Sequence, residues 1–298
     1  MEKNSLTAVV ITKNEEGRIK NCLDGLKFVD EIVVVDDFSK DETREIAEGF
    51  GAKVFKRKLD NFANQRNFAL EKVQTEWVLL IDADEKVTSE LASEIKQKVR
   101  ESQWDGFWIP RRNFIFGKWI QHSGWYPDDQ LHLFKTKKGK YFRQVHEQVK
   151  VDGNIGRLEN HLIHENYQTL NQYLDKMKHY TVLESEHLVS SGYQFQQKDL
   201  FIAPTEEFLR RFFAEKGYLD GVTGLALCLL QAFSQFLVYL RIWERKNFPQ
   251  ENIDLSSLHR QIRQEGKKIS FWFSQTEIER SHPFKKSLLK LKRKLLPG

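Results

Sequence analysis

Four short apolar runs in the first hundred residues, each leading into polar or charged residues, constrain this chain most. They are LTAVVIT (6–12), EIVVVDD (31–37), AKVFKR (52–57) and EWVLLID (76–82). Continuous β-branched runs of this length mark strands buried on both faces, as in a parallel sheet. Helical patterns separate them. Ile19, Leu23 and Leu26 fall on one face. A helix over 42–49 stops at Gly49 and Gly51, and 60–73 reads as a helix capped by Asp60 or Asn61. Strand alternating with helix predicts an α/β doubly wound sheet with right-handed crossovers.

In such a sheet, ligands bind beyond the carboxyl ends of the strands. That rule selects Thr12, Lys13, Asn14, Glu15 and Glu16 after strand one, Asp36 and Asp37 after strand two, and Asp82, Asp84 and Glu85 after strand four. Asp82 and Asp84 are one residue apart, so in extended chain both side chains point the same way and can reach one ion. Glu85 then points away, toward the next helix. Two carboxylates suit Mg²⁺ or Mn²⁺, with water and substrate phosphates completing the shell. The plainer alternative is a solvated loop, or a helix N-cap before TSELASEIKQKV. Arg66 sits early in its helix, where the dipole disfavours a cation and an anion docked nearby would help. The alternative is a surface pair with Asp60 or Glu71.

From 104 to 150 the texture is aromatic and β-branched with turns between, which predicts mixed or antiparallel strands. From 169 onward the pattern is helical. Gly221–Leu240 is a stretch of twenty residues without charge, long enough for a bilayer span. Its Gln231, Ser234 and Gln235 make a buried or interfacial helix the better expectation. Phe208, Phe212 and Phe213 alternate with Arg210 and Arg211, a pattern expected of a segment on a bilayer surface. Residues 281–298 hold six Lys/Arg and no acid, which points to an anionic surface. A helical dimer interface and a solvated tail are the alternative. The overall charge of +5 does not argue for nucleic acid. Cys22 and Cys228 match no metal or redox spacing, so a reducing compartment is expected.

Taken together, VVITKNEE (9–16), EIVVVDDFSKDET (31–43), FANQRNFAL (62–70) and WVLLIDADE (77–85) resemble the family-2 glycosyltransferases. WYPDDQLHLF (125–134), VHEQV (145–149) and the helical segment 217–244 resemble the bacterial lipopolysaccharide inner-core glucosyltransferase branch. The resemblance implies a GT-A fold, a Rossmann-like mixed sheet with flanking helices, plus a C-terminal helical region. It divides the chain into a catalytic domain over 1–167, with a nucleotide-binding half to 100 and an acceptor half from 101. A helical region over 168–250 and a basic tail over 251–298 follow.

By that resemblance, Thr12, Asn14, Glu15, Asp36 and Asp37 hold the base and ribose of a UDP-sugar, and Arg66 contacts the uracil or diphosphate. Asp82 and Asp84 hold Mg²⁺ or Mn²⁺ on the diphosphate. Asp128 falls at the catalytic base, with its neighbour Asp129 leaving the choice open. His146 approaches the metal or diphosphate, or else forms a surface pair with Glu147. His161 and His164 are left out as structural. His132 stands where that branch would carry Arg, and the Q-x-x-R-W signature of processive synthases is missing. The implied reaction is inverting transfer of a hexose, glucose in that branch, to a lipopolysaccharide-core or other lipid-linked glycan. It would take place on the cytoplasmic face of the inner membrane, to which the enzyme is peripherally bound. A nucleotidyltransferase would want a glycine-rich loop after strand one, where this chain has TKNEE. A non-catalytic binding protein would want a spoiled metal or base position.

Overall fold

The computed structural model describes residues 4–101, 103–142, 148–250, 252–282 and 286. It divides into two compact units. One runs to Trp119 and resumes at Tyr126–Gln168; the other holds Ile120–Trp125 and the chain from Thr169 on.

The first unit begins β1 (Leu6–Thr12), α1 (Ile19–Asp24), β2 (Glu31–Asp36), α2 (Thr43–Gly49), β3 (Lys53–Lys56), α3 (Phe62–Leu70) and β4 (Trp77–Asp82). Next come β5 (Glu85–Val87), α4 (Ser89–Lys98), β6 (Gly106–Ile115), β7 (Lys118–Trp119), β8 (Asp129–Lys135), β9 (Gly139–Phe142), β10 (Gln148–Val151), β11 (Ile155–Arg157) and β12 (Leu162–Tyr167). The main sheet runs β3-β2-β1-β4-β8-β6-β12-β5, with β7 and β11 also on β6; β9 and β10 pair separately. β1 to β4 are mutually parallel, as expected, and β8 enters antiparallel between β4 and β6. The α/β sheet with flanking helices and a C-terminal helical region is therefore the architecture observed.

Both faces of the parallel half are buried, which explains its unbroken apolar runs. Leu6, Ala8 and Val10 of β1 and Trp77, Leu79 and Ile81 of β4 pack with α1, α2 and α4. Val9, Val78 and Leu80 pack on the opposite side with α3. Ile19, Leu23 and Leu26 are fully buried, as their spacing predicts. Element ends move by a few residues from expectation. The third helix keeps only Phe62–Leu70, because Asn61, and not Asp60, accepts the Asn64 backbone N–H as its cap.

The far half of the sheet curls. β4 is fourth in the strand order and β5 is eighth, yet three peptide units join Asp82 to Glu85. Three units reach at most about 11 Å. Four strand spacings in a flat sheet measure about 19 Å. The sheet must bend until its last strand returns beside the end of β4, and polar side chains of β5, β6, β8 and β12 converge there.

The second unit carries α5 (Leu170–Ser190), α6 (Asp199–Leu209), α7 (Gly221–Arg245) and α8 (Leu255–Arg280). A capping box at Thr169 and Gln172 starts α5. α7 turns Gly224, Leu227, Cys228, Ala232, Val238 and Ile242 inward, and its Gln231 and Gln235 bond to Tyr173 and Glu184 of α5. Val222, Leu225, Leu229 and Phe233 stay exposed along the other side. The expected bilayer segment at 208–213 is corrected. Phe213 is buried, and its ring packs on Phe208, Phe212, Trp272 and Phe273. Arg210 and Arg211 are paired with Glu207. Much of 251–298 is helix: α8 occupies its first half, and most of the basic tail lies outside the described residues.

Candidate active site

The parallel register brings Thr12 beside Asp36 and Ile11 beside Asp82, so the ends of β1, β2 and β4 form one rim. The first two loops are tied to each other. Asp36, fully buried, accepts the backbone N–H and hydroxyl of Ser39. Asn14, at φ 54°, donates its N–H to the Ser39 hydroxyl and accepts from the Lys40 N–H. The Glu15 N–H reaches the Thr43 hydroxyl, and the Glu15 carboxylate pairs with Arg18. Asp37 pairs with Lys13 at 2.6 Å and accepts the Leu59 N–H. Burial pushes its carboxyl up, but Lys13 and that N–H outweigh it and hold the group below the ordinary value. The Thr12 hydroxyl is buried with no hydrogen-bond partner among the described residues. It is the group a base or ribose entering this rim could satisfy.

Arg66 is not a surface residue. It is 6% exposed, and its Nη2 donates to Asp82 Oδ1 at 2.8 Å, with its guanidinium over the Tyr141 ring. Asp60 pairs with Arg57 instead. Burial pushes the Asp82 carboxyl up, but Arg66, with help from His132, Arg111 and His164, holds it down to about 2.

The D-x-D segment departs from extended chain. Ala83 and Asp84 form a turn between β4 and β5, so alternation does not orient the two carboxylates. Asp82 turns to Arg66. Asp84 lies 3.4 Å from His164 Nε2 and 3.9 Å from Arg18. Glu85 is a second correction. The turn sends its side chain back into the cluster and not toward α4. It is 1% exposed, accepts the Asp82 N–H at 2.9 Å and pairs with Arg111 at 2.9 Å. Burial and the Asp82 charge push its carboxyl up.

Asp128 and Asp129 part company across β8. Asp129 forms a two-pronged pair with Arg157 at 3.0 Å. Asp128 joins the buried cluster, where its Oδ2 accepts from Arg111 Nε at 2.7 Å and Asn113 Nδ2 at 2.8 Å, and its Oδ1 from Gln130. Burial raises its carboxyl, but Arg111 and these donors bring it below the ordinary value. His132 is buried in the same cluster. Burial, then Arg66 and Arg111, lower it to about 3, so the ring is neutral at physiological pH. Tyr126 bonds through its hydroxyl to His161 and stacks on that ring. His146 and Glu147 lie outside the described residues.

Sequence reasoning missed Arg111 and Asn113, and set His164 aside as structural although it lies within 3.4 Å of Asp84. One signal was present: Arg111 and Asn113 are two apart in β6, and so share a face. No group of three His, Cys, Asp or Glu side chains converges as a metal shell among the described residues. A cation at Asp82 and Asp84 would therefore take further ligands from water and substrate phosphates, as Mg²⁺ and Mn²⁺ commonly do.

This geometry places a buried cation, a two-aspartate turn and a third carboxylate around one strand-end rim, an arrangement suited to handling an anionic leaving group. A model described as glycosyl transferase family 2 matches residues 7–162. The chain belongs to that family and is a glycosyltransferase. It is 27% identical over 257 residues to the lipopolysaccharide core biosynthesis glycosyltransferase LpsC of Rhizobium meliloti, covering 82% of this chain and 93% of that one. It is 28% identical over 253 residues to an uncharacterized glycosyltransferase, RT0209, of Rickettsia typhi, covering 80% and 87%. Among solved structures, S. aureus TarS 1-349 in complex with UDP-GlcNAc aligns over 84% of this chain and 95% of that one, at 17% identity and a TM-score of 0.44. The mannosyltransferase PcManGT of Pyrobaculum calidifontis, in complex with GDP-Man and Mn²⁺, aligns over 83% and 88%, at 15% identity and a TM-score of 0.44.

Proposed function

We propose that this glycosyltransferase moves a hexose, glucose in the first instance, from a UDP-sugar to a lipid-linked cell-envelope glycan, inverting the anomeric carbon. The observation that carries the reading is that Asp82, Asp84 and Asp128 belong to one hydrogen-bonded cluster at the strand ends. Loss of a nucleoside diphosphate develops negative charge at one point, while the acceptor hydroxyl must lose a proton at another. Arg66 supplies a buried positive charge for the first. Asp128 is our base for the second, because Asp129 is held by Arg157 on the other side of β8. Asp128 is ionised throughout the physiological range and only weakly basic. It therefore takes the proton late, once attack on the sugar has acidified the hydroxyl. Asp82 and Asp84 would hold Mg²⁺ or Mn²⁺, which when bound neutralises charge on the leaving diphosphate. Thr12, Asn14, Glu15, Asp36 and Asp37 shape the rim for uridine.

The acceptor reading is supported by the likeness to LpsC. A lipid-linked acceptor would bring the enzyme to the cytoplasmic face of the inner membrane. The exposed apolar side of α7, in a segment long and apolar enough to cross a bilayer, supports peripheral attachment better than residues 208–213. The decisive experiment follows UDP release from UDP-glucose with and without Mn²⁺. The reading expects metal-dependent release that Asp82→Ala abolishes. Metal-independent release unaffected by Asp82→Ala would sink it.

A further inference from the structure

Arg112 carries a charge that nothing around it balances. β6 turns Arg111 toward Asp128 and Glu85, so its neighbour Arg112 emerges on the opposite face of the strand. There it is half-buried, with its guanidinium 4.5 Å from the centre of the Trp119 ring. Among the described residues Arg112 pairs with no carboxylate and donates no hydrogen bond, and its Nε is shut off from water. Asp129 and Glu94, the two carboxylates whose charge is felt at nearby His161, are already committed. Asp129 spends both oxygens on Arg157, and Glu94 accepts the Glu159 and Asn160 N–H groups and the Asn160 amide. A cation withdrawn from water normally has an anion against it, because a ring face restores only part of the lost hydration.

Aromatic rings continue from this cation. Trp119 is paired in register with Phe114, two along from Arg112, and so lies on its face. Trp119 and Tyr126 meet edge to face at 5.8 Å. Tyr126 in turn stacks on His161 at 5.9 Å, with its hydroxyl 3.0 Å from Nε2. Burial, then Arg112 and Arg157, push His161 below its ordinary value, so that ring is neutral near pH 7 and adds no second charge. The cluster is tied by the chain to the acceptor side of the site. Tyr126 stands two residues before Asp128, and the Arg111 N–H bonds to the Asp128 carbonyl.

We propose that Arg112, with the rings of Trp119 and Tyr126, forms a subsite for an anionic sugar. A carboxylate or phosphate on the sugar would meet the guanidinium, and its C–H face the aromatic wall. That this sugar belongs to the acceptor rests on the function proposed above; its binding does not. A guanidinium accepts no hydrogen bond and presents a planar fork of donors that matches carboxylate and phosphate, so a neutral hydroxyl uses it poorly. Aromatic walls with a few polar groups that fix orientation are the usual make-up of a small-molecule pocket. A bare anion would leave the rings unused. The subsite would select a glycan with negative charge near the acceptor hydroxyl over a neutral one.

Magnetic resonance of the full chain with isotope-labelled tryptophan follows the Trp119 indole N–H, identified among the seven tryptophans by its loss in Trp119→Phe. Glucuronate, glucose-6-phosphate, glucose and inorganic phosphate are titrated separately, without donor or metal. We expect at least one charged sugar to shift this resonance with a Kd of about 10 mM or tighter. Which one does so tells carboxylate from phosphate. Glucose and inorganic phosphate should bind at least about 10-fold more weakly, and Arg112→Gln should weaken the charged sugar by about 10-fold or more. A thermal melt checks folding of the variant, whose Tm should hold because Arg112 has no ion pair to lose. Should Arg112→Gln fail to fold, Arg112→Lys carries the test, with a loss of about 3-fold or more because an ammonium presents no fork. A resonance unmoved by both charged sugars overturns the proposal. So does equal binding of glucose or of phosphate, or wild-type affinity in a folded Arg112 variant. Failure of the donor and acceptor reading looks different: UDP-glucose would then give no metal-dependent release of UDP, while the charged sugar still shifts Trp119.

Discussion

Asp82 and Arg66 form the contact on which the donor side of the site turns. Arg66 sits on α3 and Asp82 at the end of β4, and Arg66, at 2.8 Å, is the largest charge holding Asp82 ionised. Replacing Arg66 by Met leaves a carboxylate with less to hold it ionised. The Asp82 carboxyl should then rise from about 2 toward its ordinary value. A group depressed on folding stabilises above its unfolded value, near pH 4, and that contribution is lost as pH falls toward the folded value. Wild type should thus exceed Arg66→Met in stability above about pH 4, with the difference shrinking toward pH 2. Denaturant melts across that range measure it. The acceptor side gives a sharper contrast. Asp128→Asn should slow UDP release by about 10²–10⁴-fold, the usual span for losing a general base. Asp129→Asn should leave it within about 3-fold, because its partner Arg157 lies outside the cluster. Asp36 and Asp82 were legible in the sequence because they end apolar runs, and Asp128 only through the family resemblance. Arg111 and Asn113 were not, and His164 was set aside, since their partners lie on other strands of the sheet.

At the scale of elements, α3 and α7 bear on function in opposite ways. α3 aims Arg66 and is short, so its Asn61 cap matters: Asn61→Ala should cost about 1 kcal/mol, read as a lowered Tm. The helix was foreseen from its pattern, but its true ends depended on which of two adjacent residues capped it. α7 presents Leu229 and Phe233 outward while burying Leu227 and Cys228. Glutamate at Leu229 and Phe233 should change stability by less than about 1 kcal/mol, because exposed positions tolerate substitution. The same change should abolish flotation with anionic liposomes if that face meets a bilayer. Retained flotation would assign attachment to another part of the chain. The Phe208–Phe213 segment shows why such faces are hard to read from sequence. Its amphipathic spacing is real, but the surface it packs on, Trp272 and Phe273 of α8, lies sixty residues further along.

For the whole molecule, the parallel half of the sheet could be read directly, since its strands follow one another and are buried on both faces. The curled half could not, because no local pattern says that β5 pairs with β12. That pairing sets the order in which a nascent chain can assemble its site. Glu85 leaves the ribosome 79 residues before its strand partner His164. At ordinary elongation rates the interval is about 4–16 s. Through it Asp84 and Glu85, joined part-way by Arg111, carry charge in a half-built sheet, with one wall still to be synthesised. A chain ending at 161 should therefore retain the nucleotide rim of β1, β2 and β4 but bind Mn²⁺ poorly, measurable by titration. Catalytic competence in this enzyme arrives late and all at once, when the last strand closes over groups made many seconds earlier.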